Sequence, residues 1–254
     1  IFAIVGVLSG MYMKKQNPDY RLIRMIYPVN VLNNMRFAAY KWWNSAHYQD
    51  RVADFRFHST RAMKSSKREV YVLVIGETSR AANWSLYGYE RNTNPLLSEE
   101  KNLLVFRDVL TQGNITHRIV PMILSAASAE DFHIIYRQKS LITAFKEAGF
   151  STVFISNQTP NRSFIDFFAA ESDTVISMLP LQAVLGRPSY DTDMLPLIRE
   201  CISASDDNLL LVLHTYGSHF EYNGRYPAEY AVFKPDHARR LSEEYRQEYV
   251  NAYD

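Results

Sequence analysis

The run Val70-Tyr71-Val72-Leu73-Val74-Ile75, closed by Gly76-Glu77-Thr78-Ser79-Arg80, decides the fold. Its six residues are apolar and four are β-branched, with no polar residue on alternate positions. Such a run predicts a strand buried on both faces, as in a parallel sheet. Working outward, similar short apolar runs predict strands over 103–109, 152–156, 174–178 and 209–213. Helical patterns over 119–127, 140–148, 163–170 and 192–203 lie between them, and a charged helix is expected over 239–253. Strands alternating with helices imply an α/β fold, a parallel sheet with helices on both faces.

The 254 residues suffice for one sizeable α/β domain or two small ones, and 47% hydrophobic against 22% charged content supports a packed core. A net charge of +1 and the lack of a basic tract argue against nucleic acid as a partner. The single cysteine, Cys201, excludes zinc fingers and intramolecular disulfides.

Residues 1–13 (IFAIVGVLSGMYM) carry no charge. They are too few to span a bilayer, which needs about 20 apolar residues, and they lack the basic start of a signal peptide. We read them as the end of a transmembrane helix; the plainer alternative is a buried strand or core helix. Lys14 and Lys15 follow at once, and the positive-inside tendency would draw them to the cytoplasm. Residues 20–43 mix arginine and lysine with Tyr27, Phe37, Tyr40, Trp42 and Trp43, and Leu32, Met35, Ala39 and Trp42 recur at helical spacing. An amphipathic helix with basic and aromatic edges suits a membrane interface, although the same helix could pack on the domain. Residues 44–68 are largely polar and read as a linker, so that 14–68 forms an interface helix and linker and 69–254 the main domain.

In open α/β sheets ligands sit beyond the carboxyl ends of the strands. Three strand ends carry chemistry-bearing residues. After 70–75, Glu77 stands where a carboxylate could ligate a cation; the plainer reading has Thr78 or Ser79 capping a helix with Glu77 beside its positive end. After 103–110, Thr116 precedes Pro121, which marks the first turn of a helix. A hydroxyl there lies near free N–H groups that favour an alkoxide or a phosphate, yet it could equally be only a cap. His117 and Arg118 beside it are possible phosphate contacts. After 209–213, His214 and His219 flank Gly217, and either could bind a metal or a phosphoryl oxygen, although a lone histidine is more often a satisfied structural one.

Together these segments resemble the phosphoethanolamine transferases, enzymes of the alkaline-phosphatase superfamily with a sulfatase-like fold. The resemblance rests on Gly76-Glu77-Thr78-Ser79-Arg80-Ala81-Ala82-Asn83-Trp84-Ser85-Leu86-Tyr87-Gly88-Tyr89 with Thr93-Asn94-Pro95. Later blocks are Gly113-Asn114-Ile115-Thr116 with Pro121, Gly217-Ser218-His219 with Arg225-Tyr226-Pro227, and Asn251-Ala252-Tyr253-Asp254. The resemblance implies that Glu77 is a zinc ligand and that Thr116 is both nucleophile and zinc contact. It makes His219 a phosphate-binding or second-metal residue and assigns Asn83 and His117 to the substrate. It also implies one or two zinc ions, phosphatidylethanolamine as donor, and lipid A or another envelope glycan as acceptor. A bacterial inner-membrane protein with its catalytic domain in the periplasm is implied as well.

The sequence departs from the family pattern in two ways. An Asp-His zinc pair followed by glycine is missing, and the one Asp-His pair, Asp236-His237, lies in a loop where ligands are not expected. The remaining ligands are therefore expected beyond Asp254, and these 254 residues alone are expected to bind zinc poorly and to be inactive. The single cysteine also departs from the disulfide-bearing members of the family and points to a divergent branch. Rival readings are a sulfatase or a phosphoglycerol transferase, and a non-catalytic membrane-associated binding domain. Against a sulfatase, no Cys/Ser-x-Pro-x-Arg segment occurs.

Overall fold

A computed structural model describes residues 2–16, 27–62, 67–237 and 242–254. The chain divides into two compact units, Ile1–Phe55 and Arg56–Asp254.

The first unit is helical: α1 (Phe2–Gln16), α2 (Val29–Ala46) and α3 (Tyr48–Arg51). Lys14 and Lys15 occupy the last turn of α1, where cations complement the helix dipole. No described helix is long and apolar enough to cross a membrane. The amphipathic pattern over 20–43 is helical from Val29 onward, while residues 20–26 lie outside the described set. Leu32, Met35, Trp42 and Trp43 on α2 are exposed. The polar segment 44–68 opens as helix. Asn44 is buried there, donates to the Tyr40 carbonyl at 2.7 Å and accepts from the Arg51 guanidinium.

The second unit holds the sheet. Strands β1 (Val70–Ile75), β2 (Ser151–Ser156), β3 (Thr174–Ser177) and β4 (Leu209–His214) form it in the order β1-β4-β2-β3, all parallel. Flanking helices include α5 (Thr116–Leu124), α6 (Leu141–Glu147), α7 (Phe164–Ala169), α8 (Leu179–Leu185) and α9 (Leu195–Ser203), with the short α4 (Pro95–Ser98) before them and α10 (Arg246–Tyr253) last. Strand β4 is central and every one of its six residues is buried. Leu209, Leu211 and Leu213 pack with Ile155, Met178 and Met194, and Leu197 and Ile198 of α9 close over them. The register matters for function: Ile75 and Ser156 both align with His214, so three strands end in one rank.

Four sequence expectations need correction. Strand β1 is not buried on both faces, since Tyr71, Val72 and Val74 are exposed. Among the described strands β1 has a single neighbour, and the two-sided burial inferred from its apolar run belongs to β4 instead. Residues 103–109 form no strand, and Leu104, Phe106 and Leu110 stand out in solvent. β-Propensity is realised only where a neighbour supplies a ladder and a packing surface, and this segment has no strand beside it among the described residues. The helix expected over 119–127 begins earlier, at Thr116, because the N–H groups of Arg118 and Ile119 reach the Ile115 carbonyl at 2.9 and 3.0 Å. Pro121 is thus interior to α5 and not in its first turn. The last helix starts at Arg246; residues 242–245 are non-helical, and 239–241 lie outside the described set.

The helices read over 140–148 and 163–170 match α6 and α7, whose starts are capped by Ser140 and Ser163 side chains. The segment 192–203 divides into a 3-10 turn, Asp191–Met194, and α9. Helix α8 carries Pro180 in its first turn and ends at Gly186 with φ 63°. It is too short to stand out by periodicity.

Leu211→Ala removes a side chain with no exposure at the centre of β4. It should cost about 2–5 kcal/mol in denaturant unfolding. Val72→Ala on β1 should cost well under half of that, since Val72 is 45% exposed.

Candidate active site at the carboxyl edge of the sheet

Strand ends that finish in rank bring the residues just beyond them together. Glu77 lies two positions past the end of β1, and Gln158 lies two positions past the end of β2. Both reach the same place. The Glu77 carboxylate accepts three side-chain hydrogen bonds: from Thr116 Oγ1 to Oε2 at 2.8 Å, from Thr78 Oγ1 to Oε1 at 2.7 Å, and from Gln158 Nε2 to Oε2 at 3.2 Å. Gln158 also donates to the Thr215 carbonyl at 2.8 Å and so bridges the ends of β4 and β1. Burial pushes the Glu77 pKa up, but the bonds from Thr78, Thr116 and Gln158 and the nearby His219 outweigh it. The carboxyl is held below its ordinary value and is ionised at neutral pH.

Thr116 is the first helical residue of α5, and Ile115 is the cap. The hydroxyl is therefore no N-cap; it turns to Glu77. Its position at the helix start leaves the first-turn N–H groups without intrahelical acceptors and in positive potential. Glu77 does not lie beside a capped helix either, because the Thr78 hydroxyl is spent on the carboxylate. Beyond it, the next turn, Ala81–Asn83, has no side-chain cap.

The loop after β4 packs directly on Glu77. The Ser218 N–H donates to the Glu77 carbonyl at 3.3 Å. Gly217 has φ +36°, and a Cβ on it would stand 3.2 Å from that same carbonyl oxygen. Glycine is required here both by the close approach and by the backbone conformation. Asp191 anchors the loop by accepting from the N–H groups of Tyr216 and Gly217, each at 2.8 Å, and from Asn157 Nδ2 at 2.8 Å.

The other sequence candidates fall in different surroundings. His219 follows this loop, sandwiched by Tyr216 and Phe220, and its buried Nδ1 has no hydrogen-bond partner among the described residues. His214 is 3% exposed, and neither of its ring nitrogens has a hydrogen-bond partner among the described residues. Burial lowers its pKa against the opposing pull of Glu77, Asp166 and Asp191, so it is neutral. Asn83 is not at the Glu77 carboxylate; its amide donates to Asp254 at 2.7 Å. His117 is exposed in the first turn of α5, and the Arg118 guanidinium lies over the Phe132 ring, 4.6 Å from its centroid. Asp236 is buried and bonded to Tyr226 and Lys234, away from any ligand role. Gln158 and Asp191 were missed by the sequence reading. Gln158 had a usable signal, since it sits at the same offset past its strand as Glu77. Asp191 had none, because the backbone groups it holds lie 25 and 26 residues away and its side-chain partner Asn157 lies 34 away.

The fold and this site define the class: the chain belongs to the sulfatase family, whose model, Sulfatase, matches residues 69–254. Within it, similar curated proteins include phosphoethanolamine transferases, in agreement with the resemblance read from the motifs. Phosphoethanolamine transferase EptC of Escherichia coli (strain K12) is 32% identical over 169 residues, covering 64% of this chain and 29% of that protein. EptA of the same strain is 26% identical over 262 residues, covering 100% and 47%. The chain thus spans less than half the length of these curated relatives. Among solved structures, the C-terminal periplasmic domain of E. coli EptC in complex with Zn aligns with a TM-score of 0.64 at 29% identity, over 74% of this chain and 56% of that one. EptA from Neisseria meningitidis aligns with a TM-score of 0.73 over 99% of this chain and 47% of that one, and at 23% identity it speaks for the fold alone.

Gly217→Ala should destabilise the unit by roughly 1–2 kcal/mol from the left-handed backbone alone, with a further loss from the contact with Glu77. Chemical unfolding of the two proteins measures it, and an unchanged midpoint would contradict the close packing.

Proposed function

We propose that the protein transfers phosphoethanolamine from phosphatidylethanolamine to lipid A or another envelope glycan, with Thr116 as the covalent nucleophile. The observation that carries this reading is the 2.8 Å hydrogen bond between Thr116 Oγ1 and the ionised Glu77 carboxylate, at the start of a helix. The hydroxyl is thereby oriented, its proton has an acceptor, and the first-turn N–H groups of α5 can receive phosphoryl oxygens. In the first displacement Thr116 Oγ1 forms a bond to phosphorus while the bond to diacylglycerol breaks, and the diacylglycerol oxygen takes up a proton. In the second, an acceptor oxygen attacks the same phosphorus and Thr116 regains its hydroxyl. Dividing transfer into two displacements is what a covalent nucleophile accomplishes.

The donor set also suits zinc on one side. Glu77 and Thr116 present two oxygens in contact, and the half-buried His219 offers a nitrogen or a phosphate contact nearby. Catalytic zinc takes three protein ligands as a rule. Among the described residues no group of three His, Cys, Asp or Glu side chains could hold a metal ion, so Glu77 and Thr116 need at least one further ligand. When bound there, zinc would lower the pKa of the hydroxyl and neutralise charge on the phosphoryl group. His219 is assigned to a phosphate or a second metal. His117, exposed beside Thr116, is assigned to the substrate; Asn83 is tied to Asp254 and serves the site through the loop it holds. A threonine where sulfatases need a modified cysteine or serine directs the chemistry to phosphoryl transfer.

Residues 1–13 are assigned to the end of a transmembrane helix and 14–68 to an interface helix and linker, with 69–254 working in the periplasm. The exposed Tyr27, Leu32, Met35, Trp42 and Trp43 support the assignment, since aromatic and apolar side chains partition to the lipid boundary.

The test uses membranes holding the protein expressed from its whole open reading frame and donor lipid labelled in the headgroup. Label should pass from phosphatidylethanolamine and not from phosphatidylglycerol. A labelled Thr116 peptide should be trapped when acceptor is withheld. Thr116→Ala should lower transfer by on the order of 10³-fold or more; transfer persisting in that variant would sink the assignment of the nucleophile. Replacing Leu32, Met35, Trp42 and Trp43 together by serine should weaken flotation with anionic vesicles of a fragment spanning residues 27–254. Unchanged flotation would remove the interface role.

A further inference from the structure

We infer that Tyr253 is a positioning residue for the Glu77 carboxylate, acting through the turn that carries it. The inference rests on the zinc–threonine reading above and adds a residue to it.

The turn after β1 is held by one phenol. Tyr253 donates its hydroxyl proton to the Thr78 carbonyl at 2.6 Å and accepts from the Arg80 N–H at 2.8 Å. These two groups flank Ser79, so the hydroxyl spans the turn as a staple. The turn needs one. Thr78 has φ +50°, a left-handed conformation that a β-branched residue rarely adopts. Such a conformation persists only when its surroundings over-determine it. Thr78 in turn donates to Glu77 Oε1. The chain of contacts therefore runs from the phenol to the backbone on both sides of Ser79, and from Thr78 to the carboxylate.

The phenol is itself fixed. Tyr253 lies at the end of α10, with its ring edge-on to Tyr222 at 5.0 Å between centroids, and Tyr222 packs on Tyr249 one turn earlier. The next residue, Asp254, has a different role. Its side chain has no exposure and accepts from Asn83, Tyr89 and Arg91, all further along the chain from the turn. Asp254 fastens the loop, whereas Tyr253 sets the conformation next to Glu77. On the other side, Asp191 and Gly217 hold the Glu77 carbonyl through the loop after β4. The carboxylate is thus steadied from two directions, and only the Tyr253 side controls its neighbour's left-handed turn.

The experiment compares Tyr253→Phe with Tyr249→Phe and Glu77→Gln in the protein expressed from its whole open reading frame. Phenylalanine keeps the ring and its packing and removes both hydrogen bonds. Zinc affinity is read by competition with a chromophoric chelator, transfer by kcat and KM for phosphatidylethanolamine, and fold by the unfolding midpoint of the zinc-free protein. Tyr253→Phe should weaken zinc binding roughly 10-fold, as loss of an outer partner of a metal ligand does. It should lower kcat by a similar factor with KM within about twofold, and leave the zinc-free midpoint nearly in place. Tyr249→Phe should change none of these. Zinc affinity and kcat unchanged in Tyr253→Phe, while Glu77→Gln loses zinc, would overturn the positioning role alone. A fall in the zinc-free midpoint with no change in zinc affinity would do the same. Zinc affinity unchanged in Glu77→Gln would overturn the metal-site reading together with this inference.

Discussion

A hydroxyl and a carboxylate 39 residues apart meet at 2.8 Å because two elements end at the same rim. Glu77 leaves β1 at the level where β4 ends, and α5 begins with Thr116 facing it. That meeting depends on the rank of the strands, which the fully buried β4 enforces from the centre of the sheet. A slip of one residue between β1 and β4 would turn every side chain of β1 to the opposite face and move Glu77 along the rim. The apolar core thus acts on the chemistry through register.

Backbone groups, more than side chains, fix what lies beyond the strands. Asp191 takes two N–H groups of the loop after β4, and that loop lies against the Glu77 carbonyl with glycine at its closest approach. Gln158 ties the ends of β4 and β1 together with a single amide. Each of these polar groups is partly or wholly removed from water, where an unmade hydrogen bond costs more than a made one contributes. The rim therefore has few alternative arrangements in which all of its donors and acceptors are matched. If Thr116 acts as the proposed nucleophile, holding it against the carboxylate to within fractions of an ångström gains from that scarcity.

The sheet was legible where sequence and burial agree. The runs ending at Ser156 and Leu213 read as strands and form β2 and β4, and the helical patterns over 140–148 and 163–170 form α6 and α7. The run at 103–109 had the same local signal and formed nothing, since a strand needs a partner that composition cannot supply. Thr116 was legible as a candidate but not as a helical residue: with Pro121 read into the first turn, the expected helix start fell three residues too far along. Glu77 could be found from its place after a strand. Its partner Gln158 could have been found by the same offset, but glutamine carries no catalytic signature and drew no attention. Tyr253 stood in a quoted motif, but its role did not show there, and Asp191 did not show at all, because the main-chain groups that Tyr253 and Asp191 hold take their positions only after the chain has folded.

The charge states at the rim bear on how such a site would take a metal. Glu77 is held ionised by donors, while His214, buried close by, is held neutral. Neutral His214 thus offers no countercharge to the ionised Glu77 carboxylate. On the proposed reading, a divalent cation at this site would compete with the Thr116 proton for the lone pairs of Glu77 Oε2. On the proposed reading, binding of the cation to both oxygens requires that proton to leave. Metal affinity and activation of the nucleophile would then be one equilibrium, rising with pH as ligand deprotonation demands. On that reading, the hydrogen bond that places the Thr116 hydroxyl would be given up when a metal binds, a modest loss beside the charge–charge contact that would replace it.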